Sequence, residues 1–174
     1  MPDLQKILQK NLSGAERIAL LAVGSELRGD DAAGLLVASR LGDIRKRRPR
    51  SSRFKIFIGE TAPENLTGAI RKFNPTHLIV IDSADAGKKV GTVFAIDPEN
   101  VGGISFSTHQ LPLSLMIEYL RETITCSVMV IGVQPKNLGF DASVSREVRA
   151  AADRIAADLD AAVRRALPKK PPAR

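Results

Sequence analysis

Two carboxylates and one imidazole occupy positions from which an α/β chain could gather them. Asp31 lies in "AVGSELRGDDAAG" (22–34), where an apolar run gives way to a helical pattern. Asp82 ends the most apolar run of the chain, "THLIVIDSADAG" (76–87), and His109 precedes the helical pattern of "STHQLPLSLMIEYLRETI" (107–124). Two oxygen donors and one nitrogen donor suit a divalent cation of borderline character, and three protein ligands leave positions open for water or substrate. An aspartate at the end of a buried strand is costly to desolvate without a partner, which adds weight to Asp82. Against this chemistry stands ordinary usage: a strand-end aspartate commonly accepts from a backbone N–H, and a histidine commonly packs or caps.

The neighbouring polar residues read as structural. Asp30, directly before the helical pattern, is an expected N-cap, and Asp85 in "SADAG" is an expected turn former. His77 falls at the opposite end of its strand from Asp82 and reads as a surface residue. The other strand-end polar residues are Ser25 and Glu26, Glu60 and Thr61, Ser83 and Gln134. Familiar templates are missing: "GSELRG" is not G-x-G-x-x-G, and neither a phosphate loop nor a G-x-S-x-G elbow occurs. The single cysteine, Cys126, excludes an intrachain disulfide or a thiolate-rich zinc site and reads as a buried, reduced thiol.

Elements that would position the three residues alternate along the chain. Apolar runs at 17–23, 53–59, 76–87, 91–98 and 126–133 predict strands; helical spacing predicts helices at 3–12, 31–47, about 61–73, about 108–123 and 143–166. Thr61 or Ala62 is the expected cap of the helix that ends near 73, with Pro63 in its first turn, and Thr108 and Pro112 play those parts before "LSLMIEYL". The strands at 76–87 and 91–98 are close enough to pair as a hairpin or as antiparallel neighbours. This alternation implies an α/β fold with a mostly parallel sheet between two helical layers, whose ligands bind outside the carboxyl ends of the strands. The expected organisation is a leader helix (1–14), one α/β domain (15–166) and a disordered basic tail (167–174).

With 44% apolar and 26% charged residues among 174, the composition is that of an ordinary globular domain. No apolar run approaches the roughly 18–20 residues of a membrane helix, and the first residues lack a signal peptide's greasy stretch, so a cytoplasmic protein is expected. The net charge of +7 invites a nucleic-acid reading, but seven basic residues fall in Arg45 to Lys55 and the remainder is neutral. Such a run is most simply the solvated end of a helix and its loop, where cations complement the helix C-terminus.

The assembled motifs resemble the maturation endopeptidases of nickel-iron hydrogenases, in particular the type that processes the large subunit of hydrogenase 3. The carriers are "VGSELRGDDAAG", "APEN", "NPTHLIVIDSADAG", "IDPENV", "STHQLPL" and "IGVQPKNLGF", in the family's order between about Arg17 and Leu159. The resemblance implies a three-layer α/β/α sandwich of the phosphorylase/hydrolase kind and a peptidase that clips a C-terminal extension from the hydrogenase large-subunit precursor after nickel insertion. It places metal contact on Asp31, Asp82 and His109; on that placement a metal- or carboxylate-activated water is expected to attack the scissile bond, with Asp31 and Asp82 as the candidate catalytic carboxylates. The nickel is expected to be the substrate's own, used for recognition. Gly24, Ser25, Gly59, Glu60 and Thr61 are the expected walls of the substrate cleft. The chain departs from the family at Ser25, which replaces an asparagine, and at Glu60, which stands where consecutive glycines are usual. A monomer that binds neither nucleic acid nor membrane is expected; the rival readings are a non-proteolytic metal or precursor chaperone on the same scaffold, and nucleic-acid binding through the basic run.

Overall fold

The structure, a computed structural model, describes residues 4–47, 51–96, 105–106 and 113–168, the pair at 105–106 by its backbone alone. In chain order the elements are α1 (Leu4–Asn11), β1 (Ile18–Val23), α2 (Ala33–Lys46), β2 (Phe54–Glu60), α3 (Thr67–Phe73), β3 (His77–Asp85), β4 (Val93–Ile96), β5 (Ser105–Phe106), α4 (Leu113–Thr123), β6 (Ser127–Val133) and α5 (Arg146–Ala166). Two 3-10 turns, Gly29–Ala32 and Pro63–Leu66, lead into α2 and α3.

The strands lie in the order β2-β1-β3-β6-β4, with the short β5 paired to the end of β3. The first four are mutually parallel, and β4 runs antiparallel to β6. Continuous apolar strands such as β1, buried at every residue, need cover on both faces, and the side-chain alternation provides it. Ile18, Leu20, Ile79, Ile81, Met129 and Ile131 face α1, α2 and α5. Ala19, Leu21, Leu78, Val80 and Val130 face α3 and α4. The result is the expected three-layer α/β/α sandwich with a mixed, mostly parallel sheet.

The strand at 91–98 does not lie beside β3. Its described part, β4, pairs with β6 in the register Val93↔Val133 to Ile96↔Val130, so β6 separates it from β3. The burial explains the order: β6 is buried from Met129 onward and takes an interior place, whereas Val93 and Phe94 are only half-buried and suit an edge. Gly132 makes room for the Phe94 ring, because a Cβ there would stand 2.8 Å from the ring's Cζ.

Helix boundaries also differ from the sequence pattern. Ala62, not Thr61, precedes the 3-10 turn that Pro63 opens, without a side-chain cap, and the α-helix begins only at Thr67. The last helix starts at Arg146, capped by Ser145, whose Oγ accepts from the Val148 N–H at 3.4 Å. Leu167 is 9% exposed and packs on the core, and the carbonyl of the exposed Pro168 accepts from Arg53 at 2.6 Å. The expected Thr108 cap, Pro112, His109 and residues 169–174 lie outside the described residues.

The basic run works as structure in its described part. Arg45 stacks over Phe54 at 4.4 Å and pairs at 3.7 Å with the buried Asp160 of α5; Lys55 lies over Phe57 at 4.8 Å, and Lys46 pairs with Asp43. The Arg45 contacts join the end of α2 to β2 and α5. The leader helix α1 docks through Leu8 and holds Asp158 of α5 through Gln5 at 2.8 Å.

Candidate active site

The carboxyl end of β1 is built around two glycines. Gly24 has φ +134, its N–H donates to the Glu60 carbonyl at 2.9 Å, and a Cβ on it would lie 1.9 Å from the Asp31 carbonyl oxygen. No other residue fits that approach. Gly34, in the first turn of α2, would place a Cβ 2.4 Å from the carbonyl oxygens of both Val23 and Ile81. The helix start is therefore pressed onto the adjoining ends of β1 and β3. Ile81 precedes Asp82, and the turn carrying Asp31 packs against β3, so one close approach brings that turn onto the strand that carries Asp82.

Asp31 and Asp82 are both fully buried. The Asp82 Oδ1 accepts from the Ser83 N–H at 2.7 Å, and the Asp31 N–H donates to the Arg28 carbonyl at 3.0 Å. Two carboxylates withdrawn from water at neighbouring strand ends offer oxygen donors to a cation and an acceptor for a proton from water. Among the described residues no group of three or more His, Cys, Asp or Glu side chains is placed to hold a metal ion. The pair would need a third donor from elsewhere, and His109 lies outside the described residues.

Asp30 is not the N-cap of α2. That position belongs to Ala32, which makes no side-chain cap bond. The Asp30 carboxylate, fully buried, reaches across to the β6–α5 loop and accepts backbone N–H groups from Lys136 (2.7 Å), Asn137 (3.2 Å) and Ser145 (2.6 Å). Its own N–H donates to the Asn137 carbonyl at 2.9 Å. Ser145 caps α5, so Asp30 stands at a helix N-terminus after all, that of a helix 115 residues later. The sequence offers no signal for such a pairing.

Gln134, a strand-end residue with no role assigned from sequence, locks the exit of β3. It is 4% exposed; its Oε1 accepts from the Ala86 and Lys88 N–H groups at 2.9 and 3.0 Å, and its Nε2 donates to Asp85 at 2.9 Å. Asp85 is the expected turn former, accepting also from Gly87, and the Gln134 amide and that N–H hold its carboxyl below the usual carboxylate range. His77 opens β3 at the far end from Asp82, beside the Thr76 hydroxyl, with its pKa lowered by burial. Partial burial pushes the Cys126 thiol up to about 11, away from the thiolate form at neutral pH.

Of the expected cleft walls, Gly59 is held against Pro63, which a Cβ would approach to 2.9 Å, and the Ser25 hydroxyl is engaged by the Leu27 N–H at 3.3 Å. Glu60 and Thr61 are exposed at the end of β2. Glu60 sits at φ +47, a conformation that favours glycine, at a register shift where it faces Val23. A strained non-glycine residue at the ligand edge of the sheet is a functional candidate.

A family model described as a hydrogenase maturation protease, HycI, matches residues 37–161, well over half of the chain. The chain belongs to the hydrogenase maturation protease family. It is 33% identical over 137 residues to the hydrogenase 3 maturation protease of Escherichia coli K12, covering 78% of this chain and 84% of that one. The crystal structure of a [NiFe] hydrogenase maturation protease, HycI, from Thermococcus kodakarensis superposes with a TM-score of 0.82 at 30% identity, over 91% of this chain and 99% of the other. The hydrogenase maturating endopeptidase HybD from E. coli follows with 0.71 and 28%, over 86% and 93%. The three-layer sandwich is thus the scaffold of this protease family.

Proposed function

We propose that this family member removes the C-terminal extension of a nickel-iron hydrogenase large-subunit precursor once nickel has been inserted. The observation that carries the reading is the burial of Asp31 and Asp82 at adjoining strand ends, joined by the Gly34 contact. In this reading the precursor's nickel is part of the substrate. Asp31 and Asp82 receive it together with His109, and docking brings the scissile peptide beside the carboxylates by proximity alone. One aspartate takes a proton from water, the water oxygen adds to the scissile carbonyl carbon, and the C–N bond breaks as the departing amine receives the proton. Gly24, Ser25, Gly59, Glu60 and Thr61 line the cleft for the extension.

The protein acts as a monomer in the cytoplasm, with residues 15–166 as the peptidase unit behind the leader helix. Among the described residues no helix is long and apolar enough to cross a membrane. Processing of a nickel-loaded precursor in vitro, followed by mass spectrometry of the new C-terminus, tests the assignment. Asp82→Asn and His109→Ala are expected to abolish cleavage, and nickel-free precursor is expected to stay uncut. Undiminished cleavage by either variant would remove the substituted residue from the reaction. Retention of an uncut, nickel-loaded precursor by the wild-type protein would favour the chaperone reading instead.

A further inference from the structure

The two most exposed large hydrophobic residues in the described structure are Leu27 (62%) and Phe140 (78%), and they are neighbours. The Asp141 N–H donates to the Leu27 carbonyl at 2.8 Å, which ties the loop between β1 and α2 to the loop between β6 and α5. Leu27 stands four residues before Asp31. Phe140 stands on the loop that the Asp30 carboxylate grips through Lys136, Asn137 and Ser145. The two loops that carry them therefore meet at the carboxyl edge of the sheet, next to the turn that carries Asp31.

These residues are held rather than loose. The Asp30 clamp, the Asp30 N–H to Asn137 carbonyl bond and the Asp141 to Leu27 bond fix both loops, and Asn137 Oδ1 accepts from the Gly139 N–H at 2.8 Å. Asp141 adopts φ +56, a left-handed turn directly after Phe140. Gly29, at φ +52, has no room for a Cβ, which would meet the Asn137 carbonyl at 2.6 Å. A large apolar side chain on a preorganised loop loses little entropy on binding, and an aromatic anchor within a polar rim is the usual anatomy of a protein interface. The rim is supplied by Glu26, Arg28, Lys136, Asn137 and Asp141, all exposed or half-buried.

We infer that Leu27 and Phe140 form the docking surface for the folded body of the hydrogenase large-subunit precursor. The inference rests on the proposed function. The occupant follows from continuity: a protein whose tail enters the cleft at Asp31 and Asp82 must lay its body on the edge beside them, and this apolar pair is that edge. Docking there supplies affinity remote from the bond that breaks, so its loss weakens binding without slowing the chemistry.

Steady-state processing of nickel-loaded precursor by Phe140→Ala, Leu27→Ala and the double variant tests this, with Tyr119→Ala as an exposed aromatic control on α4. Each single variant is expected to raise KM about 10-fold with kcat within about 2-fold, the double variant further, and Tyr119→Ala not at all. Calorimetric titration of precursor into each variant on an Asp82→Asn background reads the same loss as Kd. An unchanged KM and Kd, or a fall in kcat alone, overturns the inference while the protease reading stands. A wild-type protein that neither cleaves nor binds the precursor overturns both. A wild-type dimer in solution that Phe140→Ala converts to monomer overturns it as well, since the surface then belongs to a second copy.

Discussion

Replacing Asp30 separates two accounts of the doubled acid at positions 30 and 31. An N-cap aspartate contributes about 1 kcal/mol, and asparagine or serine replaces it almost fully. The structure gives Asp30 a different task, as acceptor for three backbone N–H groups of the β6–α5 loop at 2.6–3.2 Å. Hydrogen bonds to a charged acceptor are individually worth about 1.5–3 kcal/mol. The donors are only part-buried, so water recovers some of that on removal. Asp30→Ala is therefore expected to cost roughly 3 kcal/mol, which in a protein of this size lowers Tm by about 6–12 °C. Asp30→Asn keeps one acceptor oxygen but turns an NH₂ group toward a backbone N–H, so it is expected to lose roughly half as much. Denaturant unfolding followed by circular dichroism gives the numbers, and hydrogen exchange at Lys136, Asn137 and Ser145 localises them. If Asp30→Asn and Asp30→Ser both stay within about 0.5 kcal/mol of the parent, the clamp is wrong and the capping account is right.

Other expectations follow from the same geometry. Asp85 has a folded-state pKa below its ordinary 3.8, so the stability it contributes is fully present above that value and disappears as pH falls through the lower folded value; Gln134→Ala should move the Asp85 carbon-13 titration midpoint upward, and an unmoved midpoint would remove Gln134 as the cause. Cys126, with its thiol pushed up to about 11, should resist iodoacetamide at pH 8 and leave processing intact, whereas rapid alkylation with loss of activity would assign it a catalytic part. Glu60→Gly relieves the φ +47 strain and is expected to raise stability by up to about 1 kcal/mol while weakening precursor processing. A stability loss, or processing equal to that of the parent, would remove Glu60 from the cleft.

The alternation of apolar runs and helical stripes determined the layers. Chains such as "RIALLAV" and "CSVMVIGV" have no polar face to show to water, so they must be interior strands, and the intervening stripes must cover them. The same alternation brings Asp31 and Asp82 toward one edge, because Asp31 follows β1 and Asp82 lies near the carboxyl end of the parallel β3. Tertiary structure alone decided which strand lies next to which, since pairing energy depends on neighbours that local patterns do not name; β4 therefore went beside β6. Tertiary structure also decided the division of labour between the two acids. Helical periodicity marks Asp30 as a cap for the helix that follows it, but the N–H groups it serves belong to Lys136, Asn137 and Ser145, residues made adjacent only by folding. The loops that carry Leu27 and Phe140 meet for the same reason. A hydrogen bond between residues more than a hundred positions apart leaves no periodic trace, so chemistry at the strand ends is legible in sequence and the scaffold that holds it still is not.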